Sequence, residues 1–301
     1  TALRALPEVA AKLLLRGSIS PLPLHKVLVI MDALSAPAVE GLKRHEQLAL
    51  ARALNSGVSN LQFGPEVGVG PAKSDAPDVS IWLDSVRDIA EDVRKLASNE
   101  SVRAAVCQAD SREIRSILPP RSVDAVITSP PYPNEKDYTR STRLESVLLG
   151  FTRTKEDLRL LKQGLVRSNT RGVYKGDSDD SLVSHFPEIQ AIADAIEQRR
   201  IELGKTSGFE RMYPRVTRLY FGGMARHLSQ LRTVLRAGAR LAYVVGDQAS
   251  YLRIMIRTGQ LLASIAESLG YEVTGIDLFR TRLSTVTKEH LREEVLLLRW
   301  P

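Results

Sequence analysis

Apolar positions along this 301-residue chain change their period near residue 100. From Leu3 to about Ala53 they recur every three or four residues, most clearly in Pro7 to Leu15 and Pro37 to Leu54, which predicts helices with one apolar face. The spacing returns from Asp78 to Leu96, where Ile81, Trp82, Val86, Ile89 and Val93 fall near one side of a helix. Between these stretches lies the glycine-rich Gly64-Pro65-Glu66-Val67-Gly68-Val69-Gly70-Pro71. No strand is predicted before it, so neither the dinucleotide-loop nor the phosphate-loop context is met, and it reads as a connecting loop or a clamp.

Later the pattern becomes short apolar runs separated by helical stretches, the alternation of a parallel α/β sheet. Ala104 to Gln108 reads as a strand ending at Ala109-Asp110-Ser111-Arg112, with a short helix from Ser111 leading to Pro119-Pro120. Val123 to Ile127 reads as a buried strand. After a helix from about Val216 to Leu235 and a turn at Arg236 to Ala239, Leu241 to Val245 is the next buried strand, ending at Gly246-Asp247-Gln248. A helix from Arg257 to Leu269, a strand from Tyr271 to Phe279, a basic loop and a last strand from Glu294 to Trp300 follow. Residues 133–216 are then an insertion between two sheet strands. In it Arg167 to Gly172 and Asp177 to Ser181 read as polar loops of disordered character, and Gly204 to Tyr213 as a further loop. The domain reading is a mainly helical region over 1–100 and an α/β core over 101–301.

The chemistry concentrates in Thr128-Ser129-Pro130-Pro131-Tyr132, directly after the strand at Val123. Strand C-termini are where open α/β sheets bind ligands. Consecutive prolines hold the backbone extended and lack N–H groups, which leaves their carbonyls as acceptors. Tyr132 adds a ring on which a planar base can stack, worth about 1–3 kcal/mol per base. A hydroxyl, a carbonyl and an aromatic face together suit an exocyclic amine. The plainer alternative is a proline-stiffened turn with Tyr132 packed on the core.

Ser129-Pro130-Pro131-Tyr132 resembles the catalytic motif of S-adenosylmethionine-dependent DNA amino-methyltransferases, particularly those that methylate cytosine N4. The resemblance covers about Ala104 to Pro301. It implies a Rossmann-like class I methyltransferase sheet, mostly parallel with the last strand antiparallel, preceded by helices and interrupted by a helical insertion after the catalytic strand. It implies a base flipped from DNA, stacked on Tyr132, its amine held by Ser129 and the Pro130 carbonyl. Asp110, Thr128, Gly246 and Asp247 would meet the cofactor, and Asn134, Tyr138, Arg140, Arg143, Arg167 and Arg171 the DNA. For Asp110 an N-cap role is the alternative. No covalent intermediate is needed, which suits a chain without a convincing cysteine nucleophile. Relatives with Asp or Asn in place of the serine act mostly on adenine N6.

Charge adds to this picture. The formal net charge is +7, and between Arg140 and Lys175 nine basic residues stand against three acids, a stretch fit for phosphate. Arg280, Arg282 and Lys288 offer further basic groups. The single cysteine, Cys107, excludes an internal disulfide, reads as a small buried apolar residue and suits a cytoplasmic setting. The five histidines are scattered, so no metal site is expected, and no apolar run is long enough to span a bilayer.

The family's glycine-rich cofactor loop is not found. Its expected source is a missing N-terminal segment or a second chain. A non-catalytic DNA-binding or assembly subunit, and an N6-adenine or RNA amino-methyltransferase, are the other readings.

Overall fold

A computed structural model describes residues 2–35, 40–64, 66–97, 102–283 and 290–301. The chain divides into two compact units: Thr1–Val106 with Tyr138–Lys162, and Cys107–Asp137 with Gln163–Pro301.

The first unit is helical. It contains α1 (Glu8–Ala11), α2 (Pro21–Leu34), α3 (Glu40–Ala53), the hairpin β1 (Leu61–Phe63) and β2 (Val67–Val69), α4 (Asp78–Leu96), α5 (Tyr138–Ser141), α6 (Arg143–Leu148) and most of α7 (Lys155–Gln163). Proline opens α2, where its missing N–H is no loss. The apolar stripes meet in one cluster: Val27, Ile30 and Leu34 of α2, Leu50 and Ala53 of α3, and Leu144 and Leu148 of α6, with Ile81 and Trp82 of α4 packed on it. The Trp82 indole N–H donates to the Glu46 carbonyl at 3.1 Å, so burial leaves it satisfied. The α4 boundaries match the sequence reading, although Val93 stays exposed. A strand does precede Gly64, contrary to expectation. It is three residues long and pairs antiparallel with β2, so the loop is a hairpin turn.

The second unit carries β3 (Val123–Thr128), α8 (Pro187–Glu202), α9 (Gly208–Leu231), β4 (Leu235–Gly246), α10 (Thr258–Ser268), β5 (Glu272–Leu283) and β6 (His290–Arg299). The sheet order is β3-β4-β6-β5. β3 and β4 are parallel, while β6 runs antiparallel between β4 and β5. The last strand is thus inserted antiparallel, in a mixed α/β sheet. Along β4, Leu241, Tyr243 and Val245 point into the core at the period of two that a strand imposes. They meet Tyr220, Met224 and Leu228 of α9 and Leu262 and Ile265 of α10.

Several sequence expectations need correction. Residues 104–108 form no strand, and 102–109 are exposed throughout, Cys107 included. A strand needs a partner, and among the described residues β3 pairs only with β4. For the same reason β3 is not buried: Ile127 is 86% exposed and Asp124 and Ala125 face solvent. The supposed loop at 204–213 contains the start of α9, whose Ser207 cap accepts from the Glu210 N–H while the Glu210 carboxylate meets the Ser207 hydroxyl. The turn at 236–239 lies within β4, and the basic segment after Phe279 continues β5 to Leu283. The polar loops of the insertion are ordered, with 3₁₀ turns at Thr170–Gly172 and Asp179–Val183. Lys288 and Pro37 lie outside the described residues.

Candidate active site

β3 delivers Thr128, opposite Tyr243 of β4, and the chain then leaves the sheet through Ser129-Pro130-Pro131-Tyr132. The Ser129 hydroxyl donates to the Val244 carbonyl at 3.2 Å. That bond commits the only proton of the hydroxyl and leaves its lone pairs as acceptors. The exposed serine and the half-buried Pro130 and Tyr132 lie at the C-terminal end of two parallel strands.

Tyr132 rests on Gly246, the last residue of β4. A Cβ there would stand 3.1 Å from Tyr132 Cε2, 3.3 Å from Glu293 Cγ and 3.5 Å from Gln248 Nε2. Glycine is therefore what lets the ring approach the strand. Glu293 of β6 is buried, and its carboxylate holds Arg280 of β5 through Nε, while Arg282 Nε lies 3.4 Å from its other oxygen. Tyr132 is close enough to Arg280 to act on its charge. Sequence reasoning missed Glu293. Its signal was an acidic pair, Glu293-Glu294, inside an apolar strand.

Next to Gly246, Asp247 is 1% exposed. Its N–H donates to the Arg292 carbonyl at 2.8 Å, one carboxylate oxygen is held by Arg257, and the other has no hydrogen-bond partner among the described residues. Glu294 is buried beside it, and burial, reinforced by Asp247, pushes its carboxyl up. Arg292 Nε pairs with it at 2.8 Å.

Asp110 caps the 3₁₀ turn Ser111–Ser116, accepting from the Arg112 N–H at 2.9 Å. The buried Arg112 guanidinium also binds both Asp110 oxygens and reaches Asp179 at 2.7 Å. Burial alone would raise the Asp110 carboxyl; the Arg112 bonds outweigh it and hold it below the usual carboxylate range.

The residues expected at the cofactor therefore do not form a cradle within this chain. Asp110 spends its oxygens on Arg112, Asp247 is enclosed with Arg257, and Gly246 is covered by Tyr132 and Glu293. Thr128 alone is left half-buried without such an engagement. No group of three His, Cys, Asp or Glu side chains among the described residues is placed to hold a metal ion.

The residues expected at DNA divide between the units. In the second, Asn134 is buried, its N–H bound to the Ser168 carbonyl at 3.2 Å. Arg171 is exposed, 5.8 Å from the Phe209 ring centre. Arg167 is a correction. It is 5% exposed and its guanidinium binds Asp177 through two bonds of 2.9 and 2.8 Å, so it orders the insertion and presents no surface charge. In the first unit Tyr138 is exposed, Arg140 is half-buried, and Arg143 binds the carbonyls of Thr139 at 3.1 Å and Leu13 at 3.3 Å, which ties α6 to the N-terminal segment.

In sequence the chain is similar to type II methyltransferases. It is 30% identical to M.AvaI of Nostoc sp. over 194 residues, 59% of this chain and 38% of that protein, and equally to M.AvaI of Anabaena variabilis. It is 29% identical to M.BsoBI of Geobacillus stearothermophilus over 212 residues, 65% of this chain and 40% of that protein. The chain thus spans about two fifths of the length of the curated relatives it matches. No family model matches it. A solved structure of a candidate DNA modification methylase from Thermus thermophilus covers 64% of this chain and 51% of its own at 16% identity, with a TM-score of 0.32, too loose a superposition to bear on function.

Proposed function

As a relative of the type II DNA methyltransferases, this chain, we propose, is the base-binding part of a DNA amino-methyltransferase in a restriction-modification system, acting on cytosine N4. The observation that carries the reading is the Ser129-to-Val244 hydrogen bond at the end of β3, with Tyr132 against Gly246 beside it.

The amine of a nucleobase is a weak nucleophile because its lone pair is delocalised into the ring. Acceptors that draw on its N–H bonds return that pair to nitrogen. Ser129 is such an acceptor, since its own proton is given to Val244, and the Pro130 carbonyl is the second. Tyr132 supplies the stacking face that offsets the few kcal/mol of flipping. Here the contribution of these residues ends: they take up, orient and activate the amine. The methyl donor, S-adenosylmethionine on this reading, would be held by residues beyond those described above. Either a further segment or a second chain supplies its glycine-rich loop, and the open side of β3, with Ile127 exposed, suits the strand that would carry it. Glycine-loop chemistry at β1–β2 gives no support to a cofactor site there, because that hairpin is antiparallel.

The test is transfer of labelled methyl from S-adenosylmethionine to unmethylated duplex DNA by the intact protein, followed by mass spectrometry of the nucleosides. N4-methylcytosine is expected. Tyr132→Ala is expected to lower the rate at least 10- to 100-fold, the loss of about 1–3 kcal/mol of stacking. N6-methyladenine as product would move the reading to adenine, and no transfer at all would sink it.

A further inference from the structure

We propose that Arg280 and Arg282, held side by side by Glu293 next to Tyr132, grip a phosphodiester of the DNA strand from which the base is flipped. The inference rests on the DNA reading and adds to it a contact that the basic stretch at 140–175 does not provide.

The two arginines sit on β5 in the β5–β6 hairpin, with Arg280 directly opposite Glu293 and Arg282 opposite Leu291. A register shift between Leu278 and Arg280 turns Arg280 toward the acid. Glu293 is 6% exposed, yet the Arg280 side chain is 65% and that of Arg282 35% exposed. A buried carboxylate thus fixes two exposed guanidinium groups from below. Each is anchored through Nε, which aims the terminal nitrogens outward, the fork that matches a phosphate. Arg282 is steadied further by a 3.3 Å bond to the Asp247 carbonyl.

The location is specific. Glu293 and Tyr132 meet the same point above Gly246, so the pair of arginines borders the surface on which the base would stack. A flipped nucleotide stays covalently tied to its phosphates, so a stacking ring needs cations within one backbone step. The other acids nearby are engaged: Glu294 with Arg292, and Asp247 with Arg257. A solvated surface pair would not need an enclosed carboxylate to align it.

The test is fluorescence anisotropy of a labelled, unmethylated 30-base-pair duplex titrated with the chain at several salt concentrations. Arg280→Gln/Arg282→Gln should weaken binding at least tenfold at 0.1 M salt. The slope of log affinity against log salt should fall by about 1.8, two phosphate contacts at roughly 0.9 each. Arg236→Gln/Arg299→Gln, at the far ends of β4 and β6, should leave the slope unchanged. Glu293→Gln adds a net positive charge, so diffuse attraction alone would tighten binding, whereas loss of the anchor should weaken it. Circular dichroism and melting curves establish that each variant is folded. An unchanged slope in the double arginine variant, or tighter binding by Glu293→Gln, overturns the proposal while leaving the DNA reading intact. A wild-type chain that binds no duplex overturns both.

Discussion

Asp78 is the first residue of α4, 1% exposed, and neither carboxylate oxygen has a hydrogen-bond partner among the described residues. Burial pushes its carboxyl up to about 6, against the opposing charges of Lys26 and Lys73. The folded state therefore holds a proton that the unfolded chain releases near pH 4. Between these values the native state binds more protons, so its stability falls as pH rises through about 4 to 6 and levels off above. Asp78→Asn removes the buried charge. It is expected to raise the melting temperature at pH 7, by a stability gain on the order of 2–3 kcal/mol, and to change nothing at pH 4. Melting curves at the two pH values check this, and an equal effect at both would exclude titration as the cause. Asp110 and Asp177 have the opposite sign. Burial would raise each, but Arg112 and Arg167 lower them, so their pairs stabilise above the ordinary carboxylate range and are lost in acid.

Among elements, α9 shows how closely the backbone is fitted. Gly222 lies against the 3₁₀ turn Asp179–Val183, and a Cβ on it would overlap the Asp179 carbonyl. The obstacle is main chain and cannot rotate away. Gly222→Ala is expected to destabilise the second unit by roughly 3 kcal/mol or more, read from urea unfolding; a neutral result would mean that the turn is free to move. This contact also explains what the sequence hid. α4 was legible to its boundaries because a continuous stripe declares itself locally, and β4 and β6 because their apolar runs are long. The start of α9 at Gly208 was masked by Pro214, although the Ser207-to-Glu210 capping pair announces it. Residues 104–108 have a strand's composition without a strand's partner, and pairing is not a local property. Arg167 counted as surface charge until its distance to Asp177 was known. The Ser129-to-Tyr132 segment was legible as chemistry, but its setting was not: Glu293 comes from a strand more than 150 residues away.

For the molecule as a whole, the net charge of +7 gives any polyanion a favourable approach, and salt would weaken that approach for all sequences alike. Much of the positive charge is also structural. Arg112, Arg143 and Arg167 are spent on internal carbonyls and carboxylates, so charge counted along the chain overstates what reaches the surface. No helix among the described residues is long and apolar enough to cross a membrane. The exposed side of β3 has a cost beyond the site. An unpaired strand edge with an apolar side chain such as Ile127 is a template on which other chains can add, the first step of aggregation. Asp124, salt-bridged to Arg236 at 2.6 Å, puts a charge at one end of that edge, and Pro130-Pro131 stop it at the other. Pro130→Val/Pro131→Val should therefore increase light scattering in concentrated solution, and unchanged scattering would free the prolines of this duty. The two residues that bare a carbonyl for a base are also gatekeepers that keep the sheet from growing.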